Sequence, residues 1–269
     1  MRQAERLLEQ GVRELILVSQ DTTEYGKDLR DGTDLTGLLR ALGALGGKFW
    51  IRLLYGHPAH VTDRLLAAIS EIPQVCKYLD LPIQHSHPDM LTTMLRPCGS
   101  RTGILEMPDR IRKVIPDVTL RTTCLVGHPG ETKERFLHLL RFIELAEFDC
   151  LGVFTYSPEE GTAAFGMPGK VNKRVAVARR SELMLAQQKV VKTKARTLIG
   201  REETFLVEEQ VPKAKDATWK GRSARQAPEI DGHTLIRSMP AKTRPGTFVI
   251  AKYVGVKDYD MLAEYSRQG

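Results

Sequence analysis

Cysteine is scarce in this 269-residue chain. The four present, Cys76, Cys98, Cys124 and Cys150, lie far apart, with no CxxC pair and no CxxxCxxC run. That excludes a local thiolate cage for zinc or for an iron–sulfur cluster. Three of the four sit in or beside apolar runs, as buried thiols do in a reducing compartment. Long hydrophobic stretches are missing too. The opening "MRQAERLLEQGVREL" is charged and amphipathic, which supports neither a signal peptide nor a membrane span, so a cytoplasmic protein with no membrane partner is expected. Repeats and low-complexity tracts are absent as well. Acidic residues are outnumbered without being rare: 40 basic against 33 acidic give a net charge of +7. An anionic partner is favoured, but so mixed a surface does not by itself prove nucleic-acid binding.

What is present is α/β. Five apolar strand patterns, at 14–20, 49–55, 78–84, 118–126 and 150–156, alternate with helical patterns near 34–45, 60–70, 88–114 and 132–147. That alternation predicts βα units around a parallel sheet. Each strand ends in polar or turn residues, among them Gln20-Asp21, Gly56-His57-Pro58 and Gln84-His85. Parallel α/β folds bind ligands outside the carboxyl ends of their strands, so these junctions delimit one site. The stretch "RTTCLVGHPGET" (121–132) adds a Gly-Pro-Gly turn that opens a helix, a junction that presents backbone N–H groups to a ligand. An ordinary βα turn is the alternative. The chain opens in a helical pattern (Arg2 to Gln10) where βα domains begin with a strand, so an upstream strand is expected. Residues 172–199 read as one long basic amphipathic helix that Gly200 ends. After it, "ETFLVEE", "ATWKGRS", "HTLIRS" and "GTFVIAKYVGV" read as short strands of a small antiparallel barrel, of the sort that binds RNA or peptide. The expected organisation is an α/β part over 1–170, a linker helix over 171–200 and a β-barrel over 201–269.

Read in order, "LVSQDTTEYGKDL", "FWIRLLYGHP", "LDLPIQH…DMLTTMLR", "LRTTCLVGHPGET" and "FTYSPEEGTAA" resemble successive motifs of the radical S-adenosylmethionine methylthiotransferases. "GRSARQAPEIDG" and the terminal "KDYDM" resemble that family's TRAM domain. The resemblance runs from the first helix to the last strand. It is strongest to the branch that modifies the twelfth small-subunit ribosomal protein, through "YSPEEGT" and "APEIDG". It implies a partial TIM-like barrel of five βα units followed by the TRAM barrel. The implied activity is reductive cleavage of S-adenosylmethionine and insertion of a methylthio group at an aspartate β-carbon. The family also carries an N-terminal domain with three cluster-binding cysteines and a CxxxCxxC loop, both holding [4Fe-4S] clusters. Neither is in this sequence, so the resemblance implies a C-terminal part, inactive alone or active with a separate N-terminal part.

For the site, the resemblance implies that the Val126 and Gly127 backbone meets the adenosine, with glycine allowing close approach. Gln20 is expected to hydrogen-bond the methionine end, and Arg52 and Arg121 to pair with its carboxylate. Gln84 and His85 are polar strand-end groups facing the site, and Tyr156 caps the adenine. Each polar residue has the alternative of lining a barrel interior, and Tyr156 that of a core tyrosine. Glu159, Glu160, Glu229 and Asp231 would repel a phosphate backbone and suit a basic ribosomal protein rather than tRNA; a solvated acidic loop is their alternative. A zinc site of His57, His85 and His87 is disfavoured, because an extended "HSH" splays its imidazoles to opposite faces. A tRNA-modifying enzyme, a non-catalytic ribosomal-protein- or RNA-binding module, and a phosphate- or metal-using TIM barrel are the competing functions.

Overall fold

A computed structural model describes residues 1–96, 103–212, 218–257 and 260–269. The α/β part runs α1 (Arg2–Glu9), β1 (Glu14–Leu17), α2 (Leu35–Gly43), β2 (Trp50–Leu53), α3 (Asp63–Glu71), β3 (Tyr78–Asp80), α4 (Pro88–Thr93), α5 (Gly103–Val114), β4 (Thr119–Val126), α6 (Lys133–Ala146) and β5 (Cys150–Thr155). Short polar side chains start several of the helices. Asp34, Thr62 and Thr132 each accept the N–H three residues on, at 2.7–3.2 Å, which satisfies an otherwise orphaned donor.

Strand pairs in this part are parallel: β1 with β2, β3 with β4, and β4 with β5. β2 reaches the β3 side through Ile51, whose N–H donates to Gln74 O at 2.8 Å and whose carbonyl accepts from Cys76 N at 2.9 Å. The five strands thus form a parallel part-barrel. One face packs on the helices around Leu39, Ile51, Leu66, Ile69 and Leu139, all fully buried. Ile16, Val18 and Phe154 look the other way and are 37%, 57% and 63% exposed. β3 is shorter than its apolar pattern predicts. Pro82 has no N–H to give the ladder, so β3 stops at Asp80 and the chain rejoins β4 at Gln84, paired with Cys124. The single helix expected near 88–114 is two, α4 and α5, and Cys98 between them lies outside the described residues. Pro108 sits buried inside α5.

Asn172 caps α7 (Lys173–Leu198), a 26-residue helix that buries Ala176, Leu183, Ala186, Gln187 and Ala195. Five strands follow: β6 (Glu202–Gln210), β7 (Trp219–Ser223), β8 (Thr234–Arg237), β9 (Phe248–Lys257) and β10 (Asp260–Gln268), closed in the order β10-β8-β7-β6-β9. Phe205, Val207, Ile236, Ala251, Tyr253 and Ala263 fill this barrel. It is not wholly antiparallel, because β10 pairs with β8 in parallel to close it. β10 was not among the four expected strands. Its sequence, DMLAEYSRQ, lacks the β-branched run by which a strand is read. Asp258 and Tyr259 of "KDYDM" lie outside the described residues. Among the described residues, no helix is long and apolar enough to cross a membrane.

Candidate functional site

The two ends of the part-barrel differ in kind. At the amino ends of the strands, the turn between β7 and β8 plugs the barrel. Arg52, fully buried, donates through Nε to Glu14 at 2.7 Å and through Nη1 to the Ala224 carbonyl at 2.9 Å, with its guanidinium 4.7 Å over the Tyr78 ring. The other Glu14 oxygen accepts from Arg222 at 2.6 Å. Beside this network, Asp231 accepts from Arg121 at 2.6 Å, from the Tyr78 hydroxyl at 2.7 Å and from the Ala227 N–H at 2.9 Å. The sequence pointed Arg52 and Arg121 at a cofactor carboxylate and Asp231 at a basic partner; the structure differs on all three. Arg121 is the third of eight residues in β4 and Arg52 the third of four in β2, and both pair with groups at the amino ends. The Asp231 side chain is only 2% exposed and meets arginine and tyrosine of its own chain.

At the carboxyl ends, Gln20, Tyr55, His57, Gln84, Thr123 and Phe154 line a cavity of about 280 Å³. Two of these residues hold left-handed backbone, Tyr55 at φ 57 and Gln84 at φ 64. Non-glycine residues adopt that conformation at a cost and only where neighbours impose it. At Gln84 the neighbour is β4: its N–H donates to Thr123 O, and its carbonyl accepts from Leu125 N, both at 2.8 Å. Tyr55 donates its N–H to Asp80 Oδ2 at 3.1 Å. Burial pushes the Asp80 carboxyl up, against the Tyr55 N–H and Arg121, which pull it down.

The Gly-Pro-Gly turn is held from within the protein, although Glu131 Oε1 and His85 Nε2 make no hydrogen bond. The Glu131 carboxylate accepts from the Gly127 N–H and from Arg179 of α7, both at 2.6 Å. His85 Nε2 lies 3.5 Å from the same carboxylate. Because His85 Nδ1 accepts from the Ser86 and His87 N–H groups, its proton belongs on Nε2. Burial alone would raise the Glu131 carboxyl, but these donors together hold it below its usual range. Gly127 does permit a close approach, yet it is α7 that approaches: a Cβ there would stand 2.5 Å from that of Ala176. The Val126 carbonyl accepts from Tyr156 N at 2.8 Å, and the Tyr156 ring packs edge-on to His128 at 5.2 Å. So Gln20 and Gln84 share the cavity, whereas His85, Val126, Gly127 and Tyr156 are not among its lining residues.

Glu159, Glu160 and Glu229 are exposed, unlike Asp231. The histidines do not converge: His57 and His87 cap the turns that follow them, and His85 faces Glu131. His60 instead sits 2.7 Å from Asp21 and 2.9 Å from Glu24. Sequence reading missed Tyr55, Thr123 and Phe154 in the cavity. For Thr123 a signal existed, since it lies two residues beyond Arg121 on one strand and so on the same face.

Residues 199–265 match the TRAM domain family. A protein of Trichlorobacter lovleyi named ribosomal protein uS12 methylthiotransferase RimO is 45% identical over 262 residues, 97% of this chain and 58% of its own length. Proteins of the same name from Prochlorococcus marinus and Geobacter sulfurreducens are 44% and 45% identical over 97% of this chain. Across nearly its whole length this chain is similar to RimO proteins. It spans a little over half the length of these RimO relatives, 55–58% of each. Among solved structures, methylornithine synthase (PylB) is 19% identical with a TM-score of 0.46, over 70% of this chain and 53% of that one. In RimO terms the plugging turn belongs to the TRAM barrel, and the cavity to the α/β part.

Proposed function

We propose that this chain is the S-adenosylmethionine-binding and TRAM-bearing part of a cytoplasmic transferase that adds a methylthio group to an aspartate of ribosomal protein uS12. The 45% identity to RimO proteins across 97% of the chain carries the reading. The strand-end cavity supports it. The carboxamides of Gln20 and Gln84 and the Thr123 hydroxyl offer donors and acceptors to the hydroxyls and amino-acid end of the cofactor, beside the aromatic faces of Tyr55 and Phe154. Bound there, S-adenosylmethionine supplies the sulfonium whose reductive cleavage starts the chemistry; the protein holds it and excludes side reactions.

The described cysteines do not fit an iron–sulfur cluster. Cys124 is on β4, Cys150 on β5 and Cys76 before β3. Burial pushes the Cys76 thiol up to about 11 and raises those of Cys124 and Cys150 as well, away from the thiolate a cluster needs. The cluster ligands are therefore assigned outside these residues.

Titration calorimetry of the chain with S-adenosylmethionine tests the pocket. Gln84→Ala and Gln20→Ala are expected to weaken binding about tenfold each, and unchanged affinity in both overturns the assignment. For the partner, exposed Glu159, Glu160 and Glu229 favour basic uS12 over tRNA. Glu159→Lys/Glu160→Lys is expected to lose about 1–2 kcal/mol of uS12 binding, less at high salt, and to gain tRNA binding. A wild-type preference for tRNA would move the chain to the tRNA-modifying branch.

A further inference from the structure

A second cleft, of about 530 Å³, opens on the other side of the molecule, where α7, the amino ends of β4 and β5 and the TRAM barrel meet. Its apolar wall includes Leu151, Met184, Val191 and Met261. Two polar atoms in its lining have no hydrogen-bond partner, Thr119 Oγ1 and Gln187 Oε1, on side chains of residues only 2% and 1% exposed. Buried polar atoms of a folded protein almost always find partners, so two orphans in one cleft point to something that belongs there. Both residues are tied to the junction of β4 and β5. Gln187 Nε2 donates to the Phe148 carbonyl at 2.7 Å, and the next residue, Asp149, accepts from Leu120 N at 2.9 Å, one residue from Thr119.

The inner charged residues of the cleft already have partners inside the protein, and at its exposed rim Arg201 stands 3.7 Å from Asp117. Arg121 is held by Asp231, Lys194 by Asp149, Arg225 by Glu203, and Arg112 by the Glu147 carbonyl. The occupant is therefore uncharged. Gln187 Oε1 accepts only, so it calls for a donor; the Thr119 hydroxyl can answer an acceptor. We infer that this cleft binds a small uncharged molecule with an apolar ring and an adjacent N–H and carbonyl, such as a lactam or nucleobase edge, with the N–H on Gln187 and the carbonyl on Thr119. Interdomain clefts of this size and lining are common ligand sites.

The probe is 2-pyridone, with N-methyl-2-pyridone, which lacks the donor, as control. Both are titrated into the full chain carrying 13C-methyl-labelled methionine, and the methyl resonances are followed by NMR. Saturable shifts of Met184 and Met261 are expected with 2-pyridone, with Met90 of the α/β core unmoved, and at least tenfold weaker effects with the N-methyl analogue. Gln187→Leu is expected to abolish the difference between the two probes. Thr119→Val, nearly the same shape, is expected to weaken 2-pyridone several-fold and guards against misfolding of the first variant. No shift at Met184 and Met261 up to millimolar probe, equal binding of the two probes, or wild-type binding by both variants each overturns the proposal.

Discussion

The amino ends of the barrel strands are built for permanence and the carboxyl ends for occupancy. At the amino ends each buried charge has a partner of opposite sign: Arg52 and Arg222 share Glu14, and Arg121 meets Asp231. At the carboxyl ends Tyr55 and Gln84 sit in left-handed backbone around a cavity, and Asp80 Oδ1 makes no hydrogen bond, with only Arg121 Nε at 3.6 Å. The contrast shows where a parallel barrel keeps its stability and where it keeps its chemistry. A charge buried among partners stabilises only while the set is complete, whereas strain at strand ends is tolerated where a ligand is to be held.

The sharpest way to break the contrast is Asp231→Ala. It leaves Arg121 buried and Tyr78 without an acceptor, and the expected loss is about 3–5 kcal/mol, measured by urea unfolding. A loss below about 1 kcal/mol would mean that the plug is ornamental. Gly127→Ala should cost less, about 1–3 kcal/mol. It combines a φ of +80 with a clash 2.5 Å from Ala176, and thermal unfolding of the variant reads both together. Gln84→Gly is the smallest and has the opposite sign. Relief of the left-handed strain is expected to stabilise by up to about 1 kcal/mol while S-adenosylmethionine binding weakens. Stability that falls with binding unchanged would show that Gln84 belongs to the frame and not to the site.

The order of strands and helices was legible because apolar periodicity and turn residues report local structure directly. So was the location of a cavity at Gln20 and Gln84, because the end of a parallel strand is a local feature. What was not legible is the direction in which a polar strand residue looks along the barrel axis. Arg52 and Arg121 have the right chemistry for an anion, but Glu14, 38 positions away, and Asp231, 110 positions away, take them. The same distance hid the meaning of "APEIDG". Asp231 reads as surface charge until its turn is seen inside a barrel formed by residues far earlier in the chain. Gly127 was read as a place where the cofactor comes close; in the structure Ala176 of α7 stands beside it, and a one-dimensional pattern cannot say whether ligand or helix does the approaching.

Helix α7 joins the two ends. It passes Gly127 at Ala176, grips Glu131 through Arg179, and ends in the TRAM core at Ala195. Its 26 residues make a rod of about 39 Å at 1.5 Å per residue. A rod of that length magnifies angle into distance: a tilt of about 3° at the TRAM barrel swings its far tip by roughly 2 Å, close to the width of one hydrogen bond. The accuracy with which the small barrel is seated is therefore inherited by the turn next to the cavity, and the plug at one end works as the alignment stop for the other.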